Sequence, residues 1–156
     1  MHRNVAAVVA AGTALGLRLE VRSFPDGTRT AADAAAAIGV SIGQIVKSLA
    51  FVVDDRITMA LMSGSNRLDE RALASAAGGT TCRRADADAV RAATGYPIGG
   101  VPPFGHATPL PVFVDRDLLA HEVVWAAAGT PNDNFAIAPS ELVRISGATV
   151  ADLAAR

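Results

Sequence analysis

Lys47 is the only lysine among 14 cationic side chains, the other 13 being arginines. It lies near the start of the apolar run "GQIVKSLAFVV", residues 43–53, which ends in the turn-like Asp54-Asp55-Arg56. A run this rich in β-branched and aromatic residues is expected to be a strand. Strand alternation sets Ile45, Lys47, Leu49, Phe51 and Val53 on one side and Val46, Ser48, Ala50 and Val52 on the other. Arginine is a planar fork that stays charged, whereas lysine is a compact point charge whose pKa moves on burial. One lysine in an arginine-rich chain suggests a place where the ammonium itself is wanted. The plainer alternative is a lysine that reaches out to water from the first residues of a strand.

A second stretch, "TGYPIGGVPPFGHATPLP" from Thr94 to Pro111, is too rich in Gly and Pro for regular structure beyond its first residues. Gly99 and Gly100 let the backbone approach a ligand closely and point N–H groups in directions other residues forbid. Pro102 and Pro103 stiffen the chain immediately after them. Such a segment can act as a rail of backbone donors and acceptors for a developing oxyanion; an ordinary Gly/Pro crossover accounts for the composition equally well. His106 comes just after the loop and is either a substrate contact or base, or a histidine with a structural hydrogen bond. Cys82, beside Arg83 and Arg84, is a nucleophile if its pKa is lowered and otherwise a packing residue. Asn132 and Asp133 fall in a polar turn where such residues are expected anyway. His121 reads as a surface residue. Phe24, Met59, Met62 and Ser63 either shape a pocket or fill the core.

These residues need elements to position them. A helix is expected around residues 2–16, a strand near 18–23 and a turn at "FPDGT". Thr30 resembles an N-cap for "AADAAAAIG", which Gly39 closes. The Lys47 strand and "ITMALMS" should pair as an antiparallel hairpin. A helix from about Leu68 to Ala77 comes next, then a short strand at 80–84 and a helix capped by Asp86 and stopped by Gly95. Beyond the loop, "VFVD", "EVVWAAAG" and "NFAIA" read as strands, Pro139 starts a helix, and "TVADLAA" reads as a last helical segment. Strands joined by tight hairpins favour a mixed sheet over a doubly wound parallel one.

The whole chain bounds the function. Its 156 residues are most simply one domain, residues 1–156. Hydrophobic residues make up 51%, yet no apolar run approaches the roughly 20 residues that span a membrane. The N-terminal "VAAVVAAGTALGL" is read as a first helix and not as a leader. A net charge of −1 excludes a generally basic nucleic-acid coat but not a local contact with an RNA end. One cysteine allows no internal disulfide and suits a cytoplasmic location. Three scattered histidines have no zinc-site spacing, so no metal is expected. Phosphate-loop, dinucleotide and nucleophile-elbow motifs are absent.

Taken together, "FPDGTRTAADAAAAIGVSIGQIVKSLAF", then "TGYPIGGVPPFGH", then "AAAGTPNDNFAIAPSELVRISGATVADL" resemble the YbaK, or prolyl-tRNA-synthetase-associated, family of aminoacyl-tRNA editing domains. The resemblance covers nearly the whole chain. It implies an α+β fold, a curved, mixed and largely antiparallel β-sheet flanked by helices, with a pocket on one side. It implies a freestanding hydrolase that deacylates misacylated tRNA, tRNA(Pro) carrying a wrong small amino acid above all, without a cofactor. Lys47 would hold the phosphate of the 3′-terminal adenosine and the aminoacyl ester. The backbone of Gly99, Gly100, Val101, Pro102 and Pro103 would position the ester carbonyl and amino group. Thr94 and Tyr96 match the segment preceding that loop, and some relatives carry a pocket-lining polar residue near Asn132 and Asp133. The implied partners are the 3′-terminal adenosine end of an aminoacyl-tRNA and, optionally, a synthetase. Two alternatives stand beside this: a non-catalytic tRNA- or synthetase-binding module of the same fold, and a Schiff-base role for Lys47. The oligomeric state and the amino acid rejected are left open.

Overall fold

The computed structural model describes residues 1–156. Its first half comprises α1 (Arg3–Ala14), β1 (Val21–Ser23), α2 (Ala31–Ile38), a 3-10 turn (Ile42–Gln44), β2 (Val46–Val53), β3 (Arg56–Ser63) and α3 (Glu70–Ala76). Its second half comprises β4 (Cys82–Arg84), α4 (Ala87–Thr94), β5 (Val112–Asp115), a 3-10 turn (Arg116–Ala120), β6 (Val124–Ala127), β7 (Asp133–Ile137), α5 (Pro139–Ser146) and β8 (Thr149–Ala151).

The helix ends obey local chemistry. The Thr30 hydroxyl accepts the Asp33 N–H at 3.0 Å, and the Asp86 carboxylate accepts the Ala89 N–H at 2.8 Å. Each satisfies a first-turn donor that the helix itself cannot. α2 and α4 both end on a glycine in the left-handed region, Gly39 at φ 86° and Gly95 at φ 87°. Local signals of this kind depend on few residues, which is why these elements were expected.

One expectation fails. "TVADLAA" is not helical: Thr149–Ala151 form β8, parallel to β5, and Ala154 bridges to Leu68. The Leu153 carbonyl accepts the Asp69 N–H at 2.8 Å, and the Ala155 N–H donates to Arg67 at 2.7 Å. Long-range pairing thus overrides a segment of modest helical propensity.

The strands form two sheets. The larger has the order β4-β2-β3-β5-β8, antiparallel through β4, β2 and β3 and parallel beyond; the smaller, β1-β7-β6, is antiparallel. A single parallel bridge, Ile45 to Trp125, joins them at one corner. The expected mixed, largely antiparallel sheet is therefore present as two sheets meeting at a corner. Val46, Ala50 and Val52 of β2 face the main core between the sheets, with Met59, Leu61, Val124 and Phe135. Phe51 and Val53 face a second core with Met62, Leu73 and Phe113. Lys47 shares strand parity with this second set, as alternation predicts. Met59 and Met62 are fully buried in these cores.

The pairing of β2 has a gap that positions the site. β3 pairs with it from Val46 to Val53, whereas β4 covers only Phe51–Val53 on the other edge. The Ala50 carbonyl accepts the Ala85 N–H at 3.0 Å, the last bond to the β4 segment on that edge. By the two-residue repeat of a strand, the N–H and C=O of Ser48 point along the same edge, where no strand covers them.

Candidate functional site

A cavity of about 310 Å³ occupies this gap. Its apolar wall combines the alanines Ala31, Ala34, Ala50, Ala85 and Ala127 with larger side chains, among them Ile45, Leu49 and Ile98. Its polar groups come from Thr28, Thr30, Lys47, Ser48, Arg29, Arg84 and Asn134. No Asp, Glu, His or Cys lines it.

Lys47 is partly buried, and its ammonium donates to the Asn66 carbonyl at 2.6 Å. Asn66 is itself held: its side-chain amide donates to Asp115 at 2.9 Å and to Asp117 at 2.7 Å. The Asp115 carboxylate, fully buried, also accepts the Ser63 N–H at 3.1 Å and the Asp117 N–H at 3.0 Å. Burial pushes the Lys47 pKa below the ordinary lysine range, the Arg84 charge pushes it further the same way, and Asp115 opposes both. The chain's ion pairs involve only Arg144 and Arg156, so Lys47, Arg29 and Arg84 have no carboxylate in bridging contact. Three cations without bridging carboxylates around one cavity, in a chain of net charge −1, give the cavity a locally positive character suited to an anion.

Removing the support of Lys47 should destabilise the fold measurably. Asp115→Ala strands three buried or half-buried donors, at roughly 1–3 kcal/mol for each one left unpaired. The expected result is a clear fall in the urea midpoint with little change in slope. An unchanged midpoint would show that the network carries no weight.

The Gly99–Pro103 loop is fixed by its own backbone. The Gly100 N–H donates to Pro97 at 2.9 Å, and the Gly100 carbonyl accepts the Gly129 N–H at 2.9 Å. The Gly129 carbonyl in turn accepts the Asn4 side-chain amide at 3.0 Å, so α1 braces the loop from behind. A Cβ on Gly100 would lie 2.9 Å from both the Gly129 carbonyl oxygen and Thr130 Cα, a clash with backbone. Gly99 sits at φ 88° with ordinary van der Waals space around it. Gly100 therefore has no spare N–H for a ligand, contrary to the expectation of donors from both glycines. Gly99 and Val101 line the cavity, and neither N–H is engaged elsewhere in the chain.

The other expected residues divide into supports and bystanders. The Thr94 hydroxyl donates to Val90 at 2.7 Å and accepts the Tyr96 N–H at 3.1 Å, closing the turn that launches the loop. Tyr96, Pro102, Pro103 and Phe104 are buried beneath it, and Phe104 meets Phe135 edge to face at 5.9 Å. His106 bonds through Nε2 to the Pro102 carbonyl at 2.7 Å, so that nitrogen carries the proton and the ring braces the loop. Asn132 is exposed at a turn, and Asp133 accepts from the Ser23 and Thr130 hydroxyls; neither lines the cavity. The cavity instead takes Asn134, whose amide donates to the Thr28 hydroxyl at 2.6 Å. Arg29, Arg84 and Asn134 escaped the sequence reading. Strand alternation through "NDNFAI" would have singled out Asn134, whereas nothing local marks the two arginines. Cys82 has its pKa raised by burial and by the Glu70 charge, the reverse of an activated thiol.

His106 gives a pH signature. Burial lowers its pKa below the ordinary value of about 6.5, against the raising effect of the Pro102 hydrogen bond. The folded chain then binds fewer protons than the unfolded one below that value, so stability is full above about pH 6.5 and is lost as pH falls through the lowered folded pKa. His106→Gln should flatten this acid limb in urea titrations compared at about pH 7.5 and about pH 5.5. An identical acid limb in the variant would place the proton uptake elsewhere.

Fold and cavity together define an α+β protein with a cavity that brings cations, unengaged backbone N–H groups and apolar side chains together. Residues 25–145 match the model of the aminoacyl-tRNA editing domain, and the chain belongs to that family. It is 32% identical over 128 residues to the uncharacterised protein YwhH of Bacillus subtilis (strain 168), covering 81% of each chain. It is 31% identical over 110 residues to the proline–tRNA ligase of Shouchella clausii (strain KSM-K16), matching 70% of this chain but only 19% of that enzyme. A crystal structure described as a candidate trans-editing enzyme for prolyl-tRNA synthetase superposes with a TM-score of 0.94 at 45% identity, over 100% of this chain and 99% of that one. The fold expected from the sequence is the fold observed. No helix is long and apolar enough to cross a membrane.

Proposed function

We propose that residues 1–156 form a single editing domain that hydrolyses the ester between a wrong, small amino acid and the 3′-terminal adenosine of tRNA, with tRNA(Pro) as the carrier. The observation that carries this is the gap at the β2 edge. It sets cations without bridging carboxylates (Arg29, Lys47, Arg84) beside backbone donors and a chamber to which five alanines, Ala31, Ala34, Ala50, Ala85 and Ala127, contribute. A terminal nucleotide brings the phosphate the cations lack. An aminoacyl group brings a small side chain for the chamber, whose size sets discrimination of roughly 1–3 kcal/mol per methylene.

Each group has a role in this scheme. Lys47 holds the adenosine phosphate as a point charge, at a spot where a wider guanidinium would displace the Asn66 contact. The free N–H groups of Gly99 and Val101 polarise the ester carbonyl and take its charge as the tetrahedral intermediate forms. With no carboxylate, imidazole or thiol in the lining, the attacking water is activated by the substrate, through the neighbouring ribose hydroxyl. An aminoacyl ester is already an activated acyl group, so positioning supplies most of the remaining acceleration. Ser48 fits the same picture. Its hydroxyl is the chain's one buried side-chain polar atom without a partner, and substrate would supply one.

A non-hydrolysable amide analogue, 3′-alanylamino-3′-deoxyadenosine, tests binding apart from turnover. With a 5′-phosphate it should bind at least about tenfold more tightly than without, as expected for one charge-assisted contact, and Lys47→Ala should erase the difference. Equal binding of both forms would remove the phosphate from the cavity.

A further inference from the structure

The outer face of the smaller sheet carries a feature that the cavity does not use. Arg22 of β1 lies directly opposite Asn134 of β7, and Asn134 lies opposite Ala127 of β6. Residues opposite each other in an antiparallel pair share a face. Arg22 therefore stands on the same face as the two cavity-lining residues, and neighbouring strands are only about 5 Å apart. Its guanidinium lies 5.4 Å from the ring centre of Phe24 and 5.5 Å from that of Trp125. No carboxylate is in bridging contact with it, although the side chain is exposed. Trp125 is anchored from below, bridged to Ile45 at the corner of the two sheets and packed against the Ala34–Ala35–Ile45 cluster.

We propose that Arg22, held across Phe24 and Trp125, is a stacking platform for the nucleotide that precedes the terminal adenosine, the occupant being the single-stranded 3′ end of RNA. This rests on the assignment of the terminal adenosine to the cavity. An exposed arginine without a bridging acid, set within 5.5 Å of two aromatic ring centres, combines the positive charge and the π-faces that single strands use. Its position fits such a strand: Arg22 stands directly across from Asn134, which lines the cavity, so the platform adjoins the rim where the terminal nucleotide enters. The surface is also small, as a chain of net charge −1 requires: it grips the end of an RNA and not its body.

Trp125 is the only tryptophan, so intrinsic fluorescence reports on the platform directly. Wild type is titrated with the uncharged RNA trinucleotide CCA, with AMP and with inorganic pyrophosphate. The trinucleotide should change the Trp125 emission saturably and bind at least about tenfold more tightly than AMP, the order of one stacked base. Arg22→Ala should bring the trinucleotide down to the AMP level, and Arg22→Lys, which keeps charge but loses the plane, should recover little of the loss. Equal affinity for CCA and AMP, retention of the advantage in Arg22→Ala, or reproduction of the emission change by pyrophosphate would each overturn the platform. None of these ligands carries an aminoacyl ester, so a failure of deacylation leaves this result intact. Conversely, active deacylation without a trinucleotide advantage removes the platform alone.

Discussion

Lys47→Ala is expected to lower kcat/KM for deacylation by at least about 100-fold, the order seen when a main electrostatic contact to the reacting group is lost. The alanine removes the one cation whose position is set by a chain of hydrogen bonds, from Asp115 through Asn66 to the ammonium. Arg84 is held over the Phe51 ring, 5.6 Å from its centre, and Arg29 is exposed without a hydrogen-bonded anchor, so neither reproduces the fixed position of the ammonium. Lys47→Arg restores charge without the compact shape, and should leave a defect mainly in KM. The alkaline limb separates this role from a structural one. Burial and Arg84 lower the Lys47 pKa, so its charge is lost at lower pH than for an ordinary lysine, and substrate affinity should fall there. In Lys47→Arg that part of the limb should disappear. A variant with wild-type kinetics would remove Lys47 from the reaction, and a Schiff-base role would instead leave a borohydride-trappable adduct.

Gly100→Ala is expected to be nearly as damaging, for a steric reason. The added Cβ meets the backbone of Gly129 and Thr130 at 2.9 Å, and neither can yield cheaply because Gly129 is tied to Asn4. The loop must move outward, taking the free donors of Gly99 and Val101 with it. A displacement of about 1 Å at a positioning element can cost 100-fold in rate. Gly99→Ala is the informative contrast: its surroundings are open, so it suffers only the left-handed backbone penalty of roughly 1–2 kcal/mol. The two variants should therefore separate in kcat, with Gly100→Ala the worse, while far-UV circular dichroism stays native for both. Equal kcat values in the two would mean that the loop does not position the ester.

Much of the scaffold was legible in the sequence because its signals are local. The lysine strand, its hairpin partner, the Thr30 and Asp86 caps and the Gly39 and Gly95 stops each depend on a handful of neighbouring residues. β8 was misread because its strand character comes from β5, a partner more than thirty residues away in the chain. The cavity was half legible. Lys47 stood out by composition and Gly99 by its neighbours, but the place where they meet is a gap in strand pairing, and a gap has no sequence signature. Arg29 and Arg84 are two of 13 arginines, singled out only by the absence of acids around them in space. Asp133 and Asn134 show how narrow the margin is. One step along β7 exchanges an internal hydrogen-bonding carboxylate for a cavity-lining amide.

The most direct test of the deacylase reading is hydrolysis of a panel of mischarged tRNA(Pro), carrying Ala, Cys, Ser or Thr, by wild type and Lys47→Ala, with Pro-tRNA(Pro) as the cognate control. Wild type should rapidly hydrolyse at least one mischarged ester and spare the cognate one, and the variant should be slower by about 100-fold or more. If wild type binds these tRNAs or a synthetase but hydrolyses none of them, the chain is a binding module and the deacylase reading is wrong.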